Sequence, residues 1–173
     1  MALTRIGPNQ SVNLASNVTG TLPAANGGSG RTAVTGNVLQ VVSNTYASDI
    51  STSSTSLVAT GYTSTLTPSA TSSKILILVN GGKIDWDGGT INMEINLYGK
   101  IGSNSYADIS GNIEDFRFDQ VYTNSHSISF LWSPSTTSEV IVQPYFKATS
   151  GTVYFNRSST KTSITTMEIA GWL

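Results

Sequence analysis

The chain has 173 residues, enough for one domain with a tail or for one larger all-β domain, and only 11% of them are charged, for a net charge of -1. That balance excludes the Lys/Arg excess of a nucleic-acid binder and the basic patch of a membrane-surface protein, and a hydrophobic share of 38% excludes disorder driven by charge. Cysteine is absent, which removes disulfides and thiolate metal sites. Residues 1–12 lack the apolar core of a signal peptide. The longest apolar run, Ile75 to Val79, is far short of the ~20 residues that span a bilayer, so the chain reads as soluble.

Residues 1–36 contain Pro8, Pro23 and a glycine cluster, with no strand-like alternation, and read as an extended arm. Composition alone fits a disordered tail equally well. Within this region Leu14, Val18 and Leu22 recur every four residues ahead of Pro23, a run too poor in apolar bulk to fold without a partner surface.

From Asn37 onward the pattern is β, and residues 37–173 read as a single head domain. Val38 to Thr45 is the first predicted strand, and Leu57 to Leu66 holds shorter pieces broken at Gly61. Lys74 to Asn80 (KILILVN) is continuously apolar, which predicts burial of both faces: one in a sandwich core, the other under a neighbouring subunit. In Thr90 to Tyr98, Ile91, Met93, Ile95 and Leu97 share one face, and Asn92, Glu94, Asn96 and Tyr98 the other. Tyr106 to Ile109 is a short strand, and Ser125 to Trp132 has Ile128, Phe130 and Trp132 in phase. Glu139 to Ala148 contains Pro144, the mark of an edge or a bulge. Thr152 to Phe155 and Thr162 to Ala170 complete the set, with Met167 and Ile169 in phase and Glu168 between them, facing water, a polar axis or a basic partner. Gly81-Gly82, Gly88-Gly89, Gly99, Gly102, Gly111, Pro134 and Gly151 read as turns. Many short strands at this spacing predict an antiparallel, jelly-roll-like sandwich.

Asn13 to Gly30, NLASNVTGTLPAANGGSG, resembles a linker-like motif of bacteriophage tail fibres. Thr71 to Lys83 and Gly151 to Gly171 resemble the C-terminal β-domains of marine and cyanobacterial phage virion proteins. Those domains are similar in architecture to the trimeric jelly rolls of the tumour necrosis factor and C1q group. The resemblance implies a homotrimeric head and a location in the virion, after assembly in the host cytoplasm. It also implies an arm that attaches to other virion proteins through Leu14, Val18, Leu22 and Pro23. With no shaft or adaptor domain ahead of it, the arm is expected to hold the whole attachment. Three buried side chains are worth roughly 1.5–3 kcal/mol each against ordering costs of about 1–2 kcal/mol per residue, so one arm binds poorly and three bind by avidity. Ile75, Ile77, Val79, Met167 and Ile169 are the candidate trimer interface.

Chemistry-bearing clusters are few. Asp85 and Asp87 beside Gly88-Gly89 could hold calcium, but the distant bidentate Glu of a calcium loop is missing and a hairpin turn is the plainer reading. Glu114, Asp115 and Asp119 around Arg117 could form a glycosidase pair, but their alternation with Phe116 and Phe118 is that of a strand with a solvated face. His126 is the only histidine, and no G-x-S-x-G is present. The chain therefore reads as a non-enzyme without a cofactor. Trp86, Tyr106 and Tyr122 sit near predicted loops among Asn and Asp and are candidate contacts to a host surface glycan. Trp132 and Trp172 read as core or interface residues. Three functions fit: a short trimeric tail fibre or spike with host attachment, a capsid decoration or head-fibre protein, and a carbohydrate-binding module.

Overall fold

A computed structural model describes residues 37–87, 91–118 and 124–171; the arm lies outside them. The strands are β1 (Val38–Tyr46), β2 (Ile50–Thr52), β3 (Val58–Ala59), β4 (Ser64–Leu66), β5 (Lys74–Trp86), β6 (Ile91–Ile101), β7 (Ala107–Phe118), β8 (Asn124–Trp132), β9 (Val140–Ala148), β10 (Val153–Phe155) and β11 (Thr162–Ile169). All pairings are antiparallel.

Three of the chain's runs are each interrupted once: β1 with β2, β3 with β4, and β10 with β11. Taking each as one run leaves eight runs among the described residues. The first pairs with the eighth, the second with the seventh, the third (β5) with the sixth (β8), and the fourth (β6) with the fifth (β7). The eighth also pairs with the third, and the seventh with the fourth. This nested pairing, rolled into two sheets, is the jelly roll. The first sheet reads β1/β2, β10/β11, β5, β8, and the second β3/β4, β9, β6, β7.

The core lies between the sheets, and period-two alternation decides what enters it. Ile75, Ile77, Val79 and Ile84 of β5 meet Ile91, Met93, Ile95 and Leu97 of β6, with Val140, Val142 and Phe146 of β9 and Phe155 of β10. Strand β5 does not stop at Gly81-Gly82. It bulges there, both glycines take positive φ, and a Cβ on Gly82 would collide with Asn156 Oδ1 and Thr162 Oγ1. Asn156 itself, at φ 62°, ties the β10–β11 connection inward: its Nδ2 donates to Tyr46 O at 2.9 Å and to Tyr62 Oη at 3.1 Å. Pro144 is not at an edge. It sits in central β9 opposite the gap between β3 and β4, where its carbonyl accepts from Thr60 N at 3.1 Å and Thr60 Oγ1 at 2.8 Å.

Candidate functional site

Two outer faces of the sandwich carry the features that invite partners. The first is the outer face of β1, β11, β5 and β8. Cross-strand register lines up Val41, Met167, Leu76 and Leu131 in one row. Val41 is 54% exposed and Leu131 49%. The next row holds Ser43, Thr165, Leu78 and Ser129, and the one after it Thr45, Ser163, Asn80 and Ser127. The outward polar groups partly satisfy one another within the face, Ser43 Oγ with Thr165 Oγ1 at 2.8 Å and Ser127 Oγ donating to Asn80 Oδ1 at 2.7 Å. From Lys74 to Asn80 and across its register partners, Lys74 is the only ionisable outward side chain among the described residues.

This arrangement corrects the sequence-based interface. Ile75, Ile77 and Val79 have no exposed surface and face the sandwich core, so they are not available to a second subunit. The outward phase of the same strand is Leu76 and Leu78, an assignment that a run apolar at every position cannot decide. Met167 and Ile169 do point outward, half-buried, beside Leu76 and Lys74. Glu168 is the second correction. It points inward at the end of the sandwich, 1% exposed. Its carboxylate accepts from Ser69 N, Ser69 Oγ, Ser73 Oγ and Gln40 Nε2, each at 2.6 Å. Burial alone would push Glu168 up, but these donors outweigh it and hold the carboxyl below its ordinary range.

The second feature lies on the outer face of β6 and β9. Tyr98 stands opposite Gln143, and Asn96 opposite Tyr145, so the two tyrosines are diagonal neighbours. Their rings stack at 3.9 Å with 21° between planes. Asn96 and Gln143 are buried even though they belong to the outward phase, because the tyrosine pair lies across them. Tyr106, in the β6–β7 connection, adds a third ring 6.1 Å from Tyr145, and Lys100 Nζ lies 5.2 Å from the Tyr106 centroid. Asp108 fixes the adjoining strand by accepting from Asn96 Nδ2 at 2.7 Å, Ser110 N at 3.0 Å and Gly111 N at 2.8 Å. Register shifts on both sides of Asn96 bulge this edge of the sheet. Burial, with the neighbouring tyrosine adding to it, pushes the Tyr106 and Tyr145 hydroxyls up, so both stay neutral.

Of the candidate glycan contacts, Tyr106 lies beside Tyr145, which stacks on Tyr98. Trp86 is not in a loop: it ends β5 pointing inward, 7% exposed, and belongs to the core. Tyr122 lies outside the described residues, as do Leu14, Val18, Leu22, Pro23, Asp119 and Trp172. Tyr98 and Tyr145 fall inside predicted strands, and the sequence signal for them is their place in the polar phase of two alternating strands.

The charged clusters resolve into structural contacts. Asp85 pairs with Lys83 at 2.9 Å and Arg157 at 3.5 Å, and Asp87 pairs with Arg157 at 3.2 Å and accepts from the Tyr154 hydroxyl. Burial raises Asp85, yet Lys83, the Trp86 N–H and Arg157 together bring it below its ordinary value. Glu114 and Asp115 are successive residues of β7 and project to opposite faces, which no paired-carboxylate mechanism can use. Burial pushes Glu114 up to about 7, against a hydrogen bond from the Ser127 N–H, and its Oε2 has no partner among the described residues. His126 is buried against Phe155, ring centroids 4.5 Å apart, and burial lowers it to about 4. No group of three or more His, Cys, Asp or Glu able to hold a metal occurs among the described residues.

No family model matches the chain, and no curated protein matches it in sequence. Among solved structures it is similar to that of the infectious bursal disease virus Gx strain, with 11% identity, 77% of this chain and 41% of that chain covered, and a TM-score of 0.38. It is likewise similar to the infectious bursal disease virus VP2 subviral particle, with 11% identity, 77% and 42% covered, and a TM-score of 0.37. The chain thus spans about two fifths of those chains. Likenesses this distant carry no argument here; the jelly-roll assignment rests on strand order.

Proposed function

We propose that the chain is a structural component of a phage virion, a short trimeric tail fibre or spike whose β head associates with its own copies through the outer face of β1, β11, β5 and β8. The observation that carries the association is the row Val41, Met167, Leu76, Leu131, in a stretch from Lys74 to Asn80 and across its register partners that holds one ionisable outward side chain among the described residues. Charge depletion with apolar residues at the centre is the composition of interface cores. A stretch whose one outward ionisable side chain is Lys74 has little to repel its own copy, which suits a homo-oligomer. The virion reading is supported by the resemblance of Asn13 to Gly30 to tail-fibre sequence. A head-fibre or capsid decoration role uses the same face and differs in copy number per particle.

The test is light scattering after size exclusion at micromolar concentration. The wild-type chain should run at three times the monomer mass. Leu76→Glu, which places three like charges in one shared contact, should run as a folded monomer. A wild type that runs as a monomer overturns the association. Deleting residues 1–30 should leave the trimer intact but absent from purified particles, and normal incorporation overturns the arm's role as the attachment.

A further inference from the structure

We propose that the cleft opened by the β5 bulge is a binding site for a tetrahedral oxyanion of the phosphate or sulfate type, free or carried on a small organic molecule. Strand β5 has neighbours on both sides, and both ladders break at the same place. Toward β8 the register passes from Gly81–His126 to Ile84–Asn124, which leaves Ser125 without a partner. On the other side Ile84 pairs with Phe155 of β10 and Gly81 with Thr162 of β11, so Thr160 and Lys161 stand outside the ladder. Gly82 and Lys83 therefore cross a gap inside the sheet. The gap is a cleft of about 470 Å³ lined by Gly82, Lys83, Asn124, Ser125, Thr160 and Lys161, within the ~300–1,000 Å³ of small-molecule sites. This lining contains no carboxylate to hold a cation and no large apolar side chain to hold an apolar ligand. What it offers is donors. Lys161 is exposed and forms no ion pair among the described residues. Lys83 pairs with Asp85 at 2.9 Å and keeps further ammonium hydrogens to give. Neither the Ser125 hydroxyl nor the Asn124 amide is hydrogen-bonded to a described residue. The walls are held without a ligand: Gly82 N donates to Lys161 O and Lys83 N to Thr160 Oγ1, both at 2.7 Å. The site is thus preformed. The neighbouring carboxylates are engaged elsewhere, Asp85 with Lys83 and Arg157, and Asp49 with the Ser158 and Ser159 N–H groups. Two ammonium groups beside a free hydroxyl and a free amide suit a compact dianion with several acceptor oxygens.

The chain carries its own reporter. His126 is the only histidine, and a Cβ on Gly82 would lie 3.2 Å from its Cε1, so the imidazole sits against the cleft wall. Its pKa of about 4 keeps it neutral at pH 7, so a moving imidazole resonance reads the neighbourhood and not a titration. The experiment follows that resonance by NMR on the full chain at pH 7 and fixed ionic strength. Inorganic phosphate, sulfate and glycerol 1-phosphate are each raised to about 10 mM, since a shallow site of this kind gives a Kd near ~1 mM. Phosphate or sulfate should produce a saturable shift that sodium chloride and glycerol do not. Tighter binding of glycerol 1-phosphate than of phosphate assigns the site to an ester, and equal binding assigns it to the free ion. Lys161→Ala should weaken binding roughly tenfold, the loss of one charge-assisted hydrogen bond, and Ser125→Ala about threefold. Lys161 is exposed and its carbonyl, which holds Gly82, stays in the variant, so the fold is kept. Lys100→Ala, on the other sheet, should bind as the wild type does. The proposal is overturned by no saturable shift with any of the three anions, by a shift that chloride reproduces, by binding unchanged in Lys161→Ala, or by an equal loss in Lys100→Ala.

Discussion

Replacing Glu168 tests the interior of the head at its least expected point. Its carboxylate gathers four donors from β1 and the 69–73 segment. In Glu168→Ala the Ser69 and Gln40 donors can turn to water, since both keep exposed surface, but the Ser73 hydroxyl is buried and cannot. One orphaned buried donor costs about 1–3 kcal/mol and the lost charge-assisted bonds add to it, so about 2–4 kcal/mol is expected. Glu168→Gln is the sharper variant. It keeps the shape, but its amide nitrogen must face either Gln40 Nε2 or the serines, and Gln40 cannot flip without losing its 2.7 Å bond to Thr67 O. That mismatch should cost about 1–2 kcal/mol. Urea melts at one fixed protomer concentration, repeated across pH, provide the assay. Because the folded pKa lies below the unfolded one, the stabilisation is complete above the ordinary carboxylate range and is lost as pH falls through the folded value. His126, lowered to about 4 by burial, adds an earlier loss between its ordinary value and about 4. Glu168→Gln should therefore flatten only the most acidic part of the curve. A Glu168→Ala protein within about 0.5 kcal/mol of wild type at neutral pH would refute the reasoning.

Glu114 gives the opposite sign. Its folded pKa is raised to about 7, so the stability associated with it is complete below the ordinary carboxylate range and drains away as pH rises through 7. Glu114→Gln should match wild type at about pH 4 and below and exceed it at pH 8; equal pH profiles by thermal melting would contradict this. Gly82→Ala should destabilise far more than Gly102→Ala. Both glycines have positive φ, but only at Gly82 does the new methyl strike Asn156 and Thr162, while Gly102 opens to free space. The expected costs are about 1 kcal/mol at Gly102 and at least ~2 kcal/mol more at Gly82, and equal melting temperatures would contradict the collision.

Legibility in the sequence follows the quality of the alternation. β6 was readable in phase because Ile91, Met93, Ile95 and Leu97 interleave with polar neighbours, but it runs on through Gly99, read as a turn, to Ile101. β5 was readable as a strand but not in phase, since Ile75 to Val79 is apolar on both faces. In β11 the apolar pair Met167 and Ile169 suggested where the hidden side was. The actual inward set is Thr162, Ile164, Thr166 and Glu168, made tenable by the Ser69, Ser73 and Gln40 donors, which no local pattern announces. Trp86 was misplaced because Gly88-Gly89 suggested an early turn, while the chain stays extended through the Gly81-Gly82 bulge. The tyrosine cluster needs the β6–β9 register to exist at all, and that register is a property of the tertiary fold.

The nesting of the first run with the last has a consequence for how the protein is made. Val38 pairs with Ile169, so β1 stays unpaired along this edge until β11 has been made, and such distant pairings form slowly. Strand β11 is also the bridge between β1 and β5, and it supplies Met167 to the outward apolar row. A chain cut short before β11 thus has neither a closed first sheet nor the complete outward apolar row of that sheet.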